Sequence, residues 1–126
     1  MNREIIMTAD APEALGPYSQ AIKIDNFVFT AGQIGLDPST QKMVEGGIKE
    51  QTEQVIKNLR TVLEKSGMTL GDAVKADVFL TELSNYAEMN EIYSLFFSQA
   101  EPARTTIVVK DLPKGALVEI ALIAAH

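Results

Sequence analysis

The sequence predicts an α+β fold in which two helices cover one face of a mixed sheet. Six strand-like segments and two amphipathic helical segments follow one another in the order β-β-β-α-β-α-β-β. Because crossovers between parallel strands are right-handed, both helices are expected on the same face of the sheet. The opposite face stays uncovered, yet its strands are too apolar to face water. We therefore expect oligomerisation to cover it.

The first half of the chain contains three predicted strands. Residues 5–7, 19–24 and 27–31 are rich in β-branched and aromatic residues, and Asp25-Asn26 between the last two is typical of a two-residue hairpin. A glycine-containing loop is expected after the third strand.

A long helix follows this loop. It begins after Gly46-Gly47 and ends at Gly67, the expected C-cap. Its apolar side recurs every three or four residues, at Ile48, Thr52, Val55, Ile56, Leu59, Val62 and Leu63.

The second half adds three strands and another helix. Residues 72–81 alternate between apolar and polar side chains, and residues 104–109 and 117–125 are apolar runs separated by a Pro-Gly turn. Ser84 is predicted to be the N-cap of the second helix. The apolar stripe of that helix comprises Tyr86, Met89, Ile92, Tyr93 and Phe96.

Composition indicates one globular domain over residues 1–126 and excludes several classes of function. The chain is 46% hydrophobic and 22% charged, and it carries a net charge of −6, which disfavours nucleic acid as a partner. It has no cysteine, and its single histidine, His126, is the last residue, so neither a metal site nor a catalytic triad is expected. No signal peptide or membrane-length apolar run is present, and a cytoplasmic location is expected.

Two charged residues stand out within otherwise apolar strands. Arg104 begins one strand and Glu119 lies inside the next. Burial of either charge is unfavourable unless a partner or ligand satisfies it. Arg104 is either a surface residue at the end of a strand or a rigid fork that binds a carboxylate. Glu119 is either a structural carboxylate, paired with Lys110 or Lys114, or a proton-transfer group whose pKa is raised by desolvation.

Two further segments have a structural and a functional interpretation. Residues 16–20 (GPYSQ) read as a turn into a strand, in which Tyr18 is a candidate aromatic wall for a small ligand. Gly32 reads as a strand end, but a glycine also lets a ligand approach the backbone closely.

Five short motifs follow one another along the chain: residues 16–20 (GPYSQ), residues 29–34 (FTAGQI), Asn90 with Tyr93, residues 102–104 (PAR) and residues 118–120 (VEI). Taken together, they resemble the Rid (YjgF) family of enamine and imine deaminases over the whole chain. The resemblance implies a chorismate-mutase-like fold, with the last strand between the third and fourth, and a homotrimer with ligand clefts between subunits.

The resemblance also implies roles for individual residues. Arg104 would bind the substrate carboxylate, and Glu119 would activate the water that attacks the imine carbon. Tyr18 would line the cleft, as would Asn90. The backbones of Gly32 and Thr106 would contact the ligand. The implied substrates are 2-aminoacrylate and 2-aminocrotonate in their imine forms, which become 2-oxo acids and ammonia without a cofactor.

Three positions depart from the pattern of that family. Position 106 is Thr where many members carry Cys, Glu101 replaces an aromatic residue, and Ala121 stands where a second Glu is common. The first two departures are compatible with hydrolysis and bear on substrate preference. The alternatives are a non-catalytic protein that binds small carboxylates through Arg104, and an endoribonuclease or translation inhibitor, which the negative charge disfavours.

Overall fold

The computed structural model describes residues 2–126. It has two helices, a six-stranded sheet and a small two-stranded sheet. The elements are β1 (Arg3–Ile6), β2 (Ala21–Ile24), β3 (Phe27–Thr30), β4 (Leu36–Asp37), β5 (Lys42–Met43), α1 (Ile48–Lys65), β6 (Ala73–Leu80), α2 (Tyr86–Phe97), β7 (Ala103–Val108) and β8 (Val118–Ala125).

The order of the large sheet is β1-β2-β3-β8-β6-β7, so the last strand lies between the third and fourth predicted strands, as expected. All neighbouring pairs are antiparallel except β6 and β7, which are parallel. The predicted hairpin is confirmed, because Ile24 pairs with Phe27 and Asp25 adopts a positive φ of 51° between them. This order leaves β7 at one edge of the sheet.

The hydrophobic core lies between the helices and one face of the sheet. Val55, Leu59 and Val62 of α1 have no exposed surface, and both helices pack on the same core. The sheet contributes Val28, Ala76, Val78, Leu80, Val118, Ile120, Leu122 and Ala124, which are all at least 99% buried. Burial of this apolar surface stabilises the fold and confirms that both helices cover one face.

Gly67 terminates α1 as predicted, although the helix ends at Lys65 and Ser66 is its C-cap. Gly67 adopts φ 86°, and its N–H donates to the Glu64 carbonyl at 3.0 Å. The next N–H, of Met68, donates to the Leu63 carbonyl at 2.9 Å, which completes a Schellman motif. A glycine is favoured here because other residues are strained at this φ.

The predicted N-cap of α2 was wrong. Ser84 lies within a single 3₁₀ turn, Leu83–Asn85, and α2 begins at Tyr86. The Ser84 hydroxyl donates to the Glu82 carboxylate at 3.4 Å instead of capping the helix. The buried stripe also differs from the prediction, since Phe97 is buried while Tyr86 is exposed. The exposed side chain of Tyr86 contacts Arg104 at the start of β7.

The small hairpin β4–β5 was not predicted, because the sequence there reads as a loop. Gln41 takes a positive φ of 60° at its turn. The hairpin is fixed to α1 by the buried Asn58, whose side-chain amide donates to the carbonyls of Ile34 and Leu36 at 3.2 and 2.9 Å. A polar side chain inside the core thus satisfies backbone acceptors of this segment.

The sheet face opposite the helices is uncovered, and much of it is apolar. The pairings place Ile5, Ile22, Phe29 and Ile123 in one row across four strands. Of these, Ile5 and Phe29 are 61% and 42% exposed. Leu117, whose place in the alternation of the last strand predicts this face, packs against the core instead. We call this uncovered surface the open face.

The open face also carries polar groups. The Lys75 ammonium lies 2.7 Å from the Asp77 carboxylate and donates to the Thr105 hydroxyl at 2.9 Å.

Within residues 2–126, neither helix is long and apolar enough to cross a membrane.

Candidate functional site

Arg104 lies at the edge of the sheet, on the side that the helices cover. It pairs in register with the buried Ala76, so the two side chains share that face. Its guanidinium lies over the Tyr93 ring at 4.7 Å from the centroid and near the Tyr86 ring at 5.7 Å. It also donates a hydrogen bond from Nη2 to the Tyr86 hydroxyl at 3.0 Å. Stacking and hydrogen bonding together hold the guanidinium in one orientation.

Arg104 opens into a cleft of about 390 Å³ between α2 and the start of β7. Within residues 2–126, no carboxylate lies within 4.0 Å of the guanidinium. A fixed guanidinium without an anionic partner is suited to a ligand carboxylate. We call this space the Arg104 cleft; its lining comprises Asn90, Tyr93, Ser94, Phe97, Glu101, Pro102 and Arg104.

Among residues 2–126, three buried hydroxyl groups have no hydrogen-bond partner, and two of them lie near Arg104. These two belong to Tyr93, a residue of the cleft lining, and to Thr106, two residues along β7 from Arg104. Burial raises the pKa of Tyr93, and the nearby positive charge of Arg104 partly offsets that increase. An unpaired buried hydroxyl is unfavourable, and a bound ligand or water could satisfy it.

Glu119 lies on the open face, on the other side of the sheet from Arg104. It pairs with Phe79, while its neighbours Val118 and Ile120 are fully buried toward the helices. Burial raises the pKa of the Glu119 carboxyl, as the sequence predicted. No lysine among the described residues lies within 4.0 Å of this carboxylate, so the proposed pairing with Lys110 or Lys114 is absent from them.

Gly32 lies directly against the Glu119 side chain. The following residue, Gln33, exchanges two backbone hydrogen bonds with Ile120, at 2.9 and 3.1 Å, which brings the end of β3 beside β8. A Cβ on Gly32 would overlap the Glu119 carboxylate. The glycine therefore provides the space that the carboxylate occupies. This explains the choice of glycine at position 32 more specifically than the end of a strand does.

Tyr18 lines a different cavity, of about 490 Å³, beside β1 and the segment that follows it. Its side chain is exposed, and its hydroxyl accepts a hydrogen bond from the Leu15 N–H at 3.2 Å. The buried Gln20 closes the cavity and donates to the carbonyls of Thr8 and Pro12 at 3.1 and 2.7 Å. The cavity that Tyr18 lines and the Arg104 cleft have no lining residue in common.

Within one chain, the six predicted site residues therefore lie in three separate places. Arg104, Asn90 and Thr106 lie on the helix side of the sheet, Glu119 lies with Gly32 on or beside the open face, and Tyr18 lines its own cavity. Residues 2–126 contain no cluster of three or more His, Asp or Glu side chains that could hold a metal ion.

Sequence reasoning missed the role of Tyr86 beside Arg104. Its place in the apolar stripe of α2 suggested a core residue, whereas its hydroxyl contacts Arg104 and its pKa is lowered by a hydrogen bond with Asn90 and by the guanidinium. The available signal was position: Tyr86 is the first residue of its helix, where a side chain can reach past the core.

Comparison with known proteins agrees with this fold along nearly the whole chain. Residues 8–126 match the profile of the family described as Endoribonuclease L-PSP. A RutC family protein of Pyrococcus abyssi is 50% identical over 124 residues, which cover 98% of each chain. A mouse protein named 2-iminobutanoate/2-iminopropanoate deaminase is 42% identical over 124 residues, which cover 98% of this chain and 92% of that protein.

A solved structure gives the same result. It is a protein of the conserved Rid family from Yersinia pestis, which is 44% identical and superposes with a TM-score of 0.96. The match covers 99% of this chain and all of that one. On sequence and structure together, the chain belongs to the Rid (YjgF) family, whose members the Endoribonuclease L-PSP profile describes.

Proposed function

We propose that this protein hydrolyses small 2-imino acids to 2-oxo acids and ammonia. The observation that carries the proposal is the guanidinium of Arg104, which two tyrosines fix at a cleft without any carboxylate partner among residues 2–126. A second observation is the desolvated Glu119 carboxylate, whose pKa is raised toward the range useful for proton transfer near neutrality. The mouse relative, which is named for this activity, supports the choice of substrate class.

In this reaction the imine carbon takes up the oxygen of water and releases the nitrogen as ammonia. Arg104 binds the substrate carboxylate and thereby orients the neighbouring imine carbon. The Glu119 carboxylate accepts a proton from the attacking water, and the resulting carboxyl group passes it to the imine nitrogen, which gives a carbinolamine. The carboxylate then takes the hydroxyl proton as the C–O double bond forms and returns it to the nitrogen as the C–N bond breaks, so that both water protons leave in ammonia. Every proton is conserved in this cycle, and no oxidant or cofactor is required. Such imines hydrolyse readily, so orientation and one proton shuttle are sufficient.

The two key groups require a second copy of the chain. Arg104 and Glu119 lie on opposite faces of one sheet, so a single small acid cannot contact both within one subunit. The open face is apolar and uncovered, which favours its burial against another subunit. We propose a homotrimer in which Arg104 of one subunit and Glu119 of a neighbour line the same cleft, with Tyr18 forming part of its wall.

A coupled assay tests the proposal. The protein is added to a serine or threonine dehydratase reaction, and the lifetime of the imine is followed by trapping it with semicarbazide. We expect faster loss of the imine with the parent and no acceleration with Arg104→Ala. Parent protein that leaves the rate unchanged with both dehydratases would refute the deaminase function.

One observation favours a second candidate, a protein that binds small carboxylates without turning them over. One chain alone forms the Arg104 cleft, which is proposed to bind the carboxylate. Glu119 of the same chain lies on the other face of the sheet, away from this cleft. Glu119→Gln separates the two functions, because a binding protein tolerates this change and a hydrolase does not. Ribonuclease activity is disfavoured by the net charge of −6 and by the single histidine, which lies at the end of the chain beside Asp72.

A further inference from the structure

The Arg104 cleft contains one cation and one anion. Arg104 and Glu101 both line it, and the other lining residues are neutral: Asn90, Tyr93, Ser94, Phe97 and Pro102. The two charges do not form an ion pair, since they lie more than 4.0 Å apart. Each of them is therefore available to a ligand.

Both charges act on the same small volume. The Tyr93 ring lies under the Arg104 guanidinium. Burial raises the pKa of its hydroxyl, the Arg104 cation opposes that increase, and the Glu101 carboxylate adds to it. Glu101 is held close to Arg104 along the chain by the intervening Pro102, which restricts the backbone. A ligand that fills the cleft therefore lies near both charges.

Occupation of the cleft changes its charge balance. A ligand carboxylate on Arg104 neutralises the only cation that this chain contributes to the lining, and Glu101 then remains as the only net charge from the same chain. A second carboxylate on the ligand would face this anion without a compensating cation. A neutral side chain would avoid the repulsion, and a cationic one would be attracted.

We infer that Glu101 makes the Arg104 cleft selective for ligand charge, so that it accepts 2-imino and 2-oxo acids with neutral or cationic side chains and disfavours dicarboxylic ones. The inference rests on the proposed binding of a carboxylate by Arg104 and assigns a substrate class to that site. Because Glu101 is exposed, water screens its charge, and the expected discrimination is about three- to tenfold.

The test compares two ligands of nearly equal shape, 2-oxoglutarate and its 5-methyl ester, which differ by one negative charge. Their dissociation constants are measured by calorimetry for the parent, for Glu101→Gln and for the control Glu88→Gln. Glu88 is an exposed residue of α2 outside the cleft lining, so its substitution changes the net charge by the same amount. We expect the parent and Glu88→Gln to bind the ester about three- to tenfold more tightly, and Glu101→Gln to bind both ligands within about twofold.

The outcomes separate this inference from the proposed function. Equal affinities in the parent, or a preference that survives in Glu101→Gln, would overturn the charge selection. Parent protein that binds neither ligand would overturn the charge selection, whereas the dehydratase assay decides the deaminase function. If the parent binds with the expected preference but does not accelerate imine loss in the dehydratase assay, the deaminase proposal fails and the charge selection stands.

Discussion

At the scale of single residues, Arg104 owes its orientation to side chains from another element. Tyr93 supplies a buried ring under the guanidinium, and Tyr86 supplies a hydroxyl at 3.0 Å. An arginine on an exposed strand edge would otherwise sample many rotamers, and immobilising it on binding would weaken affinity. The two tyrosines reduce that penalty before the ligand arrives.

Tyr86→Phe tests this positioning role, because it removes the hydroxyl and keeps the ring. We expect KM for the imine to rise about fivefold with kcat changed by less than about twofold, since a hydrogen bond to a charged group is lost from substrate binding. Steady-state kinetics in the coupled assay measure both constants. The melting temperature should not change, because Tyr86 is exposed. An unchanged KM would contradict the role.

Glu119 is expected to govern the pH dependence of turnover. Burial raises the pKa of its carboxyl above the usual value of 4.5, and the carboxylate is the form that accepts a proton from water. The rate should therefore be fully present above the raised pKa and decrease as the pH falls through it. Rates of the parent across the acidic range measure this profile.

Glu119→Gln removes the titrating group and keeps the shape of the side chain. We expect kcat to fall by about 100-fold or more and the acidic decrease in rate to disappear. Binding of 2-oxobutyrate should stay within about threefold, because Arg104 is untouched. A variant with parental kcat would remove Glu119 from the mechanism and favour the role of a binding protein.

At the scale of elements, the end of α1 depends on one backbone conformation. Gly67 adopts φ 86°, and an added Cβ would meet no atom within 4 Å, so substitution there acts through strain alone. We expect Gly67→Ala to lower the free energy of unfolding by about 1 kcal/mol in urea denaturation.

Gly71→Ala is the matched control. Gly71 does not have a positive φ, and an added Cβ would lie 3.4 Å from the Thr69 hydroxyl, an ordinary contact. This variant should unfold within about 0.5 kcal/mol of the parent or be slightly more stable. Equal destabilisation by both substitutions would show that loss of glycine, and not its conformation, is responsible.

Periodicity predicted most elements because their patterns are local. The apolar side of α1 and the hairpin turn at Asp25-Asn26 depend on neighbours within a few residues. The start of α2 was harder, because Ser84 has good capping chemistry but the chain makes a 3₁₀ turn first. The β4–β5 hairpin is stabilised by Asn58, a long-range contact that no local pattern reports.

The arrangement of the candidate site could not be read from the strands separately. Alternation predicts which residues of one strand share a face. Whether that face is the helix side or the open side of the sheet depends on how the strand pairs with β6. Ala76 aligns with Arg104 and Phe79 aligns with Glu119, and these two residues of β6 point to opposite sides. Only the registers of both pairings place Arg104 and Glu119 on different faces of the sheet.

At the scale of the whole molecule, this separation connects the apolar open face to the proposed catalysis. A folded monomer would expose Ile5 and Phe29 to water and would leave Arg104 and Glu119 unable to act on one substrate. Packing the open faces of several subunits together solves both problems, because it buries apolar surface and can bring the two groups into one cleft. Assembly and activity are therefore expected to fail together.

Phe29→Glu tests this coupling. Phe29 lies in the apolar row between Ile22 and Ile123 and is 42% exposed, so a carboxylate there should be tolerated by the folded chain but not by a buried interface. Light scattering should give three times the chain mass of 13.7 kDa for the parent and a single chain mass for the variant, which should also lose hydrolysis. Leu95→Glu introduces the same charge at a 72% exposed site on α2 and should remain trimeric and active. A monomeric Phe29→Glu protein with native circular dichroism and parental activity would show that one chain is sufficient for catalysis.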